Sequence, residues 1–291
     1  NKKDIRLDKF LSISLFSKTG YYKNKIPIGK KNDFVTAPEV SQMFGEIIGL
    51  YLLYIWSTKI NSKYNLIELG PGKGTLFKDI FRSVSKYPNF LKSSKIQFIE
   101  INKELEKIQK KNFTRLKLES SKWNNNIDYR STLPSIIYSN EFFDCFPVRQ
   151  FLFKDKWYER YVSYNKKENN FFIKEKIVTS SKILSTLDNY KKEKILEISF
   201  ERNKYFENIC KYIKNKGGLV FTIDYGYFNN IQNFTLQAVQ NQKKTNILDN
   251  IGEKDISSHV NFKDFINIAK NINLKLKSFV LKKNFLLNLE F

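Results

Sequence analysis

The stretch from Asn65 to Leu76, NLIELGPGKGTL, constrains the fold of this chain more than any other. A short apolar run is followed by three alternating glycines, Gly70, Gly72 and Gly74, and then by the start of a helical pattern. Glycines let a backbone turn sharply and come close to a ligand. A strand, a glycine turn and a helix in this order predict an α/β fold with a ligand at the carboxyl edge of its sheet.

Glu68 decides which ligand suits this turn. In a dinucleotide-binding turn the helix N-terminus faces a pyrophosphate, which a neighbouring carboxylate would repel. The pattern here is Glu68-x-Gly70-x-Gly72-x-Gly74, and the spacing of a Walker A loop is absent. S-Adenosylmethionine carries an α-ammonium group and a carboxylate but no phosphate, so it suits both the acid and the close glycine backbone. The alternative is a glycine-rich turn that holds no ligand.

Strand and helix patterns alternate from Asn65 onward, which predicts a mainly parallel sheet. The candidate strands are NLIEL (65–69), KIQFIE (95–100), RLKL (115–118), SIIYSN (135–140) and GLVFTIDYG (218–226), and KELEKIQKKN (103–112) is a helical stretch between them. The last residues, LKLKSFVLKKNFLLNLEF, read as two strands joined by a tight turn around Lys282 to Asn284. Such an antiparallel C-terminal hairpin is typical of one branch of the Rossmann-like folds.

Two segments lie outside this minimal sheet. Residues 1–60 form a predicted N-terminal lid, in which Thr36-Ala37-Pro38-Glu39 resembles a helix start with proline in the first turn. Residues 152–190 alternate like a β-ribbon with a polar turn at Lys166 to Asn170. We therefore predict a single domain over residues 1–291, with a core formed by residues 61–151 and 191–291.

Composition excludes several classes of function. No run of about 18 uncharged apolar residues occurs, so we expect no membrane-spanning segment. Cys145, Cys210 and the single histidine, His259, are too few for a cysteine-based zinc cluster or a histidine-rich metal site, and we expect no metal. Two cysteines also fit a reducing compartment. Because the chain begins at Asn1 and not at methionine, we expect that residues were removed before it. A targeting segment is one candidate for the removed residues.

The net charge of +22 has two explanations. A polyanionic partner such as nucleic acid would favour a clustered basic patch. The lysines are instead scattered along the chain, and Asn, Ile and Lys are all abundant, as expected from an AT-rich coding sequence. The charge is therefore compatible with compositional drift or with a polyanionic partner.

Two further groups of polar residues follow predicted strands. Glu100 ends the second strand, where an acid can accept hydrogen bonds from both ribose hydroxyls, although a solvated strand end is the alternative. The loop SNEFFDCFP after the fourth strand supplies Asn140, Glu141 and Asp144 around aromatic residues. Acids in such a loop can clamp a guanidinium group by bidentate hydrogen bonds. The alternative is a polar turn that caps the next helix.

Five motifs occur in a characteristic order: NDFVTAPEVSQMFGEIIG, IELGPGKGTL, SNEFFDCFPVRQF, IDYG and GEKDISSHVNF. Together they resemble the MidA family of S-adenosylmethionine-dependent methyltransferases, over the range from about Gly20 to Phe262. The resemblance implies a class I methyltransferase fold, a Rossmann-like and mostly parallel sheet that ends in an antiparallel hairpin. The mitochondrial member of this family is a protein arginine methyltransferase that assists the assembly of respiratory complex I.

The resemblance also implies roles for individual residues. The glycine loop with Glu68 would hold the methionine end of the cofactor, and Glu100 would hold its ribose. Asn140, Glu141 and Asp144 would form the catalytic acceptor side. The N-terminal motif would cover the active site, with Asp33 and Thr36 toward the cofactor and Pro38 and Glu39 toward the substrate. The remaining candidates on the substrate side are Asp224, Tyr225 and His259.

His259 has a second interpretation. As the only histidine in a family motif it could act as a general base. A single histidine beside the apolar sequence VNF is more often a hydrogen-bonded structural residue, and arginine methylation depends more on the orientation of the nucleophile than on a base. The structural interpretation is therefore the one that we favour.

The expected function is methyl transfer to a protein arginine, on a subunit of respiratory complex I or of its bacterial counterpart. One alternative is an RNA-directed methyltransferase, which the positive charge favours. Another is a non-catalytic assembly factor that uses the methyltransferase fold to hold a partner protein. The compartment would be the cytoplasm in a bacterium or the mitochondrial matrix in a eukaryote.

Overall fold

A computed structural model describes residues 4–26, 36–116, 118, 121–190 and 193–277. The described residues fall into two compact units. The parallel-sheet unit is drawn from Ile26–Phe142, Phe206–Asp224 and Phe265–Phe291, and the antiparallel unit from Asn1–Lys25, Phe143–Tyr205 and Tyr225–Asp264. The division into a lid, a core and a ribbon within one domain stays a prediction.

The α-helices of the described residues are short to medium in length. They are α1 (Leu7–Phe16), α2 (Tyr21–Asn24), α3 (Ala37–Val40), α4 (Gln42–Ile55), α5 (Thr75–Val84), α6 (Pro88–Lys92), α7 (Lys103–Phe113), α8 (Ser181–Leu187), α9 (Phe200–Lys216) and α10 (Phe262–Asn271). A π-helical turn (Trp56–Ile60) extends α4, and 3₁₀ turns follow α7 (Thr114–Leu116) and α8 (Asp188–Tyr190).

The strands are distributed over both units. They are β1 (Ile5–Arg6), β2 (Tyr64–Leu69), β3 (Ser94–Ile99), β4 (Lys122–Asn124), β5 (Ser135–Asn140), β6 (Arg149–Phe153), β7 (Trp157–Asn165), β8 (Asn170–Ile177), β9 (Ile195–Ile198), β10 (Gly218–Ile223), β11 (Gly226–Tyr227), β12 (Gln237–Gln240), β13 (Lys243–Thr245), β14 (Asp255–Ser257) and β15 (Val260–Asn261).

The parallel-sheet unit contains a five-stranded sheet in the order β10-β5-β2-β3-β4, with every neighbouring pair parallel. Its central strand, β2, is buried along its whole length, as expected for a strand with helices on both faces. Glu68 lies opposite Phe98 of β3 and opposite Tyr138 of β5 in this register. The predicted mainly parallel α/β sheet is confirmed.

One predicted strand is wrong. The segment RLKL (115–118) begins in the 3₁₀ turn after α7, and the edge strand β4 starts only at Lys122. The helical turn persists because Phe113 packs into the core, with its ring 4.9 Å from that of Phe98. Trp123 joins the same cluster, with its ring 5.0 Å from that of Phe98 and 6.2 Å from that of Phe113, so β4 is held at the sheet edge by its aromatic residue. A four-residue alternation is too short to separate a strand from a helix end.

The core of the parallel-sheet unit lies between the sheet and α4, α5 and α7. It is rich in aromatic side chains that meet edge to face or tilted, the arrangements that ring quadrupoles favour. Phe77 of α5, for example, lies 4.9 Å from Phe98 and 5.2 Å from Phe113, measured between ring centroids. This packing fixes α5 and α7 against the carboxyl halves of β2 and β3, where the glycine loop begins.

The antiparallel unit is built on a five-stranded sheet in the order β1-β7-β6-β9, with β8 paired to β7. Strands β7 and β8 form a hairpin from Tyr158↔Ile177 to Asn165↔Asn170, as the alternation of residues 152–190 predicts. A smaller sheet, β13-β12-β14, and the parallel pair β11–β15 complete the unit. Its buried ion pair joins Arg149 Nε to Glu159 Oε1 at 2.6 Å and Nη2 to Oε2 at 2.7 Å.

The predicted C-terminal hairpin around Lys282 to Asn284 lies outside the described residues. Over the part of the chain that the structure does describe, each helix is too short or too polar to cross a membrane.

Candidate cofactor site

The glycine loop follows β2 directly. Gly70, Gly72 and Gly74 have φ angles of 61°, 57° and 79°, all in the left-handed region that glycine adopts without steric cost. The amide of Gly70 donates to the Ile99 carbonyl at 3.0 Å, and the amide of Gly74 donates to the Pro71 carbonyl at 2.8 Å. The loop therefore turns tightly between β2 and α5, and its first residue is hydrogen-bonded to the end of β3.

Two of these glycines are also required by their neighbours. A Cβ atom on Gly70 would lie 2.9 Å from Cδ2 of Phe142, and one on Gly74 would lie 2.5 Å from Cζ of Phe113. Both distances are shorter than a van der Waals contact. The glycine loop is thus enclosed by a side chain from α7 and by one from the loop after β5, a cradle that any larger residue would fill.

Glu100 follows β3 and is only 7% exposed. One of its oxygens accepts a hydrogen bond from the Asn102 amide at 2.8 Å, and the other accepts from Nε2 of Gln109 at 3.1 Å. Burial raises the pKa of Glu100 to about 7, although the hydrogen bonds from Asn102 and Gln109 act in the opposite direction. The Ile101 amide also donates to Glu100. Because a carboxylate has about four acceptor positions, Glu100 keeps acceptor capacity for ribose hydroxyl groups.

Glu68 is 2% exposed within β2. Its Oε2 accepts a hydrogen bond from the Tyr138 hydroxyl at 3.1 Å. Burial, with a smaller contribution from the charge of Glu100, raises the pKa of Glu68 to about 8 against the lowering effect of the hydrogen bond from Tyr138. A buried acid of this kind gains a partner when an ammonium group arrives, so its chemistry fits the α-ammonium of S-adenosylmethionine.

The N-terminal motif reaches the same loop. Thr36 precedes α3, Pro38 lies in its first turn and is buried, and Glu39 accepts a hydrogen bond from the Thr75 hydroxyl at the start of α5. Glu39 was predicted on the substrate side, and this contact places it beside the residue that follows Gly74. Asp33 lies outside the described residues.

The segment after β5 has an unusual backbone. Glu141 adopts a φ of 52°, a left-handed conformation that is uncommon for residues other than glycine and asparagine and that is enriched at functional sites. The Glu141 amide donates to the Ile223 carbonyl at 2.8 Å, and the Phe142 amide donates to Oδ2 of Asp224 at 3.1 Å. Asn140, Glu141 and Asp224 therefore meet at the carboxyl ends of β5 and β10.

Asn140 carries a buried acceptor without a partner. Its Oδ1 atom is inaccessible to solvent and makes no hydrogen bond within the described residues. A buried polar atom in this state is costly, and at a ligand-binding edge it indicates a group that a ligand satisfies.

The other predicted acceptor residues lie in the antiparallel unit. The Asp144 carbonyl accepts from the Ser258 amide at 2.9 Å, and the Tyr225 carbonyl accepts from the Val260 amide at 2.8 Å. The His259 amide donates to the Thr235 hydroxyl at 2.9 Å. Asp144, Tyr225 and His259 are thus joined through one backbone segment, and their roles toward an acceptor stay predictions.

Gln109 and Tyr138 contact the predicted cofactor residues but lie outside the five sequence motifs. Gln109 interrupts the apolar stripe of α7, four residues after Leu105 and four before Phe113, and a polar residue in that position is a signal of a buried hydrogen bond. Tyr138 lies on β5 directly opposite Glu68 of β2, as the register of these two parallel strands requires.

Three animal proteins are similar in sequence to most of this chain. The protein arginine methyltransferase NDUFAF7 homolog, mitochondrial, of Drosophila melanogaster is 27% identical over 277 residues, which is 86% of this chain and 63% of the relative. The Caenorhabditis elegans homolog is 26% identical over 300 residues, 92% of this chain and 70% of the relative. The human protein is 26% identical over 268 residues, 84% of this chain and 60% of the relative. The chain thus spans under two thirds of the fly and human proteins.

Solved structures share the fold. A crystal structure from Burkholderia thailandensis, bound to S-adenosylhomocysteine, superposes with a TM-score of 0.78 at 19% identity, covering 92% of this chain and 72% of the other. A second structure from the same organism gives a TM-score of 0.75 at 18% identity, with 92% and 71% covered. At these identities the likeness supports the class I methyltransferase fold.

The family assignment comes from a family model. The model described as S-adenosyl-L-methionine-dependent methyltransferase matches residues 47–280, a range that includes the glycine loop, Glu100 and the loop after β5. The chain belongs to this family of S-adenosyl-L-methionine-dependent methyltransferases, and the cofactor predicted from the glycine loop is the cofactor of the family.

Proposed function

We propose that this protein transfers a methyl group from S-adenosylmethionine to an arginine of a protein substrate. The observation that carries the proposal is the segment after β5, where the buried Asn140 Oδ1 has no partner and Glu141 is held in a left-handed conformation. Phe142, the next residue, packs against Gly70 of the cofactor loop. The names of the fly, worm and human relatives support arginine as the acceptor.

Each group of cofactor residues is assigned to one part of the ligand. In this proposal the backbone of Gly70 to Gly74 lies along the methionine portion, Glu68 meets the α-ammonium group, and Glu100 accepts from the two ribose hydroxyls. The bound cofactor supplies an electrophilic methyl group. The protein contributes the close backbone approach of the glycine loop and two buried acids that match a cationic amine and a diol.

The acceptor side orients the nucleophile. A guanidinium group offers five N–H donors in a planar fork. Asn140 Oδ1 would accept one of these donors, and the Glu141 carboxylate would pair with the fork in a bidentate manner. Both interactions hold one guanidinium nitrogen in place and balance the positive charge on the rest of the group. Orientation of this kind accounts for a large share of the rate of such transfers.

Substitution of Glu141 by glutamine should reduce methyl transfer by about 100-fold or more, because a neutral amide cannot balance the guanidinium charge. Transfer is measured with a tritiated methyl group on S-adenosylmethionine and dissociated complex I subunits as acceptor. Acid hydrolysis of the protein then identifies methylarginine. Glu104→Gln is the matched control, since Glu104 is an exposed acid on α7, and it should leave transfer unchanged.

A second substitution separates activity from folding. Glu141→Gly removes the carboxylate and also relieves the left-handed φ, so the variant should be as stable as the original protein or more stable by about 1 kcal/mol. Full transfer by either Glu141 variant would show that the role of this residue is wrong. An absence of transfer by the original protein, with S-adenosylhomocysteine still bound, would favour the non-catalytic assembly factor.

The compartment and the substrate protein are proposed from the relatives and from the motif resemblance. Their names include mitochondrial, which supports a mitochondrial matrix protein over a bacterial cytoplasmic one. A subunit of complex I is the substrate that follows from the motif resemblance. Methylarginine found in another protein, and none in complex I subunits, would redirect the search while keeping the chemistry.

RNA is the second candidate acceptor because the net charge is +22. Basic proteins that contact several phosphates lose affinity steeply as salt rises. RNA affinity measured between low and moderate salt should therefore fall by orders of magnitude if RNA is the substrate. A flat dependence, with label found in methylarginine, would exclude RNA.

A further inference from the structure

Gln109 is a fully buried amide on α7 whose nitrogen and oxygen both have partners. Its Nε2 donates to the Gly72 carbonyl at 2.7 Å and to Oε2 of Glu100 at 3.1 Å. Its Oε1 accepts from the indole N–H of Trp123 at 2.8 Å. One side chain thus joins the glycine loop, the acid after β3 and the edge strand β4.

Trp123 fixes which way the amide faces. An indole nitrogen can only donate, so it has to meet the amide oxygen of Gln109. The two N–H groups of Gln109 are therefore directed at two acceptors, the Gly72 carbonyl and the Glu100 carboxylate. A buried and satisfied polar network of this kind is rigid, because each broken bond leaves an unpaired group in a region of low dielectric constant.

We propose that Gln109 is a positioning residue that holds the Glu100 carboxylate at a fixed distance and orientation relative to the glycine loop. The ribose and methionine portions of the cofactor then meet preformed partners at the same time. The inference rests on the proposed assignment of Glu100 to the ribose. Asn112 provides a natural comparison, since its Nδ2 donates to the neighbouring Lys73 carbonyl at 2.9 Å without contacting Glu100.

The hydrogen bond from Gln109 has a measurable electrostatic consequence. It lowers the pKa of Glu100, against the larger effect of burial. The other charged groups that bear on Glu100 are Glu68 from β2 and Glu106 from α7. Glu106 is paired with Lys103 and Lys110, and Lys110 also lies 5.1 Å from the Trp123 ring. Loss of the Gln109 donor should therefore raise the pKa of Glu100 while these groups stay in place.

The test is calorimetric titration with S-adenosylhomocysteine between pH 5.5 and 9. Gln109→Met removes the donor at nearly constant volume. We expect binding about tenfold weaker at pH 7, and a pH midpoint about one unit higher than in the original protein, from the usual strength of a hydrogen bond to a charged group. The ligand ammonium group and Glu68 are the same in both proteins, so the difference in midpoint reports Glu100.

Two variants keep the result interpretable. Asn112→Ala loses a hydrogen bond to the same loop, and it should weaken binding without moving the midpoint. Trp123→Phe frees the Gln109 amide while retaining both of its donors, and it should shift the midpoint in the same direction by a smaller amount. If Gln109→Met does not fold, Trp123→Phe still tests the proposal. An unchanged midpoint in Gln109→Met, or in Trp123→Phe where Gln109→Met does not fold, would overturn the proposal.

Glu100→Gln separates this inference from the assignment on which it rests. If Glu100 binds the ribose, this substitution weakens binding and removes the pH dependence that belongs to Glu100. Original affinity and an original pH profile in Glu100→Gln would overturn the ribose assignment itself. A normal effect of Glu100→Gln, combined with no shift in Gln109→Met, would overturn the role of Gln109 alone.

Discussion

Gly74→Ala should destabilise this protein by about 2–4 kcal/mol, whereas Gly217→Ala should cost only about 1 kcal/mol. Both glycines adopt left-handed backbone, with φ angles of 79° and 82°. They differ in their surroundings, because a Cβ on Gly74 would lie 2.5 Å from Phe113 while one on Gly217 would lie 3.7 Å from the nearest atom, in Pro134. Backbone strain is common to both variants, and crowding against a buried ring occurs only in the first.

Urea unfolding and S-adenosylhomocysteine titration measure the two consequences. Gly74→Ala should also weaken ligand binding, since Phe113 cannot move without disturbing Phe98 and the loop that it supports. Gly217 precedes β10 at the amino end of the sheet, so its variant should bind normally. Equal losses of stability in the two variants would show that crowding at Gly74 is not what keeps the loop in place.

The second large effect is on pH dependence. Without ligand, the free energy of unfolding should fall as pH rises from about 4.5 to 8, because Glu68 ionises near 4.5 in the unfolded chain but at a pKa of about 8 in the folded one. The group is protonated in both states below pH 4.5, and above 8 the folded protein carries a buried charge. Glu68→Gln should remove the share of this slope that belongs to Glu68, on the order of 4 kcal/mol at pH 8, and leave the smaller fall that Glu100 contributes through its pKa of about 7.

Tyr138→Phe gives an independent check on the same acid. The Tyr138 hydroxyl lowers the pKa of Glu68, so its removal should extend the loss of stability to higher pH and increase its total, while the loss still begins near pH 4.5. Glu104→Gln, an exposed acid, should leave the profile unchanged. Unfolding free energies that do not depend on pH over this range would contradict the description of Glu68 as a buried protonated acid.

Local patterns predicted the conformation of the glycine loop. Three alternating glycines after an apolar run permit left-handed backbone without steric cost, and all three have it. Glu100 was also predictable, because the carboxyl ends of successive parallel strands share one edge of the sheet. The segment RLKL was wrong as a strand because Phe113 and its aromatic neighbours, distant in sequence, hold its first residues, Arg115 and Leu116, in a 3₁₀ turn.

Long-range contacts were the part that sequence could not supply. The hydrogen bond from Gln109 to Gly72 spans 37 positions, and that from Thr75 to Glu39 spans 36. The hydrophobic periodicity of a sequence does not predict which carbonyl group a buried side-chain amide contacts. The unpartnered Oδ1 of Asn140 was likewise invisible, since it depends on burial by the surrounding loop. The role of Asn140 and Glu141 stays a prediction from residue type and position, and only the structure reveals their conformation.

The measurement that tests the central claim most directly is calorimetric titration with S-adenosylmethionine and with NAD, on this protein and on Gly72→Val. The account predicts binding of S-adenosylmethionine alone, and loss of that binding in Gly72→Val, because the added methyl groups block the close approach of the loop backbone. Binding of NAD, or no binding of S-adenosylmethionine by the original protein, would contradict the assignment of the turn at Gly70 to Gly74 to this cofactor.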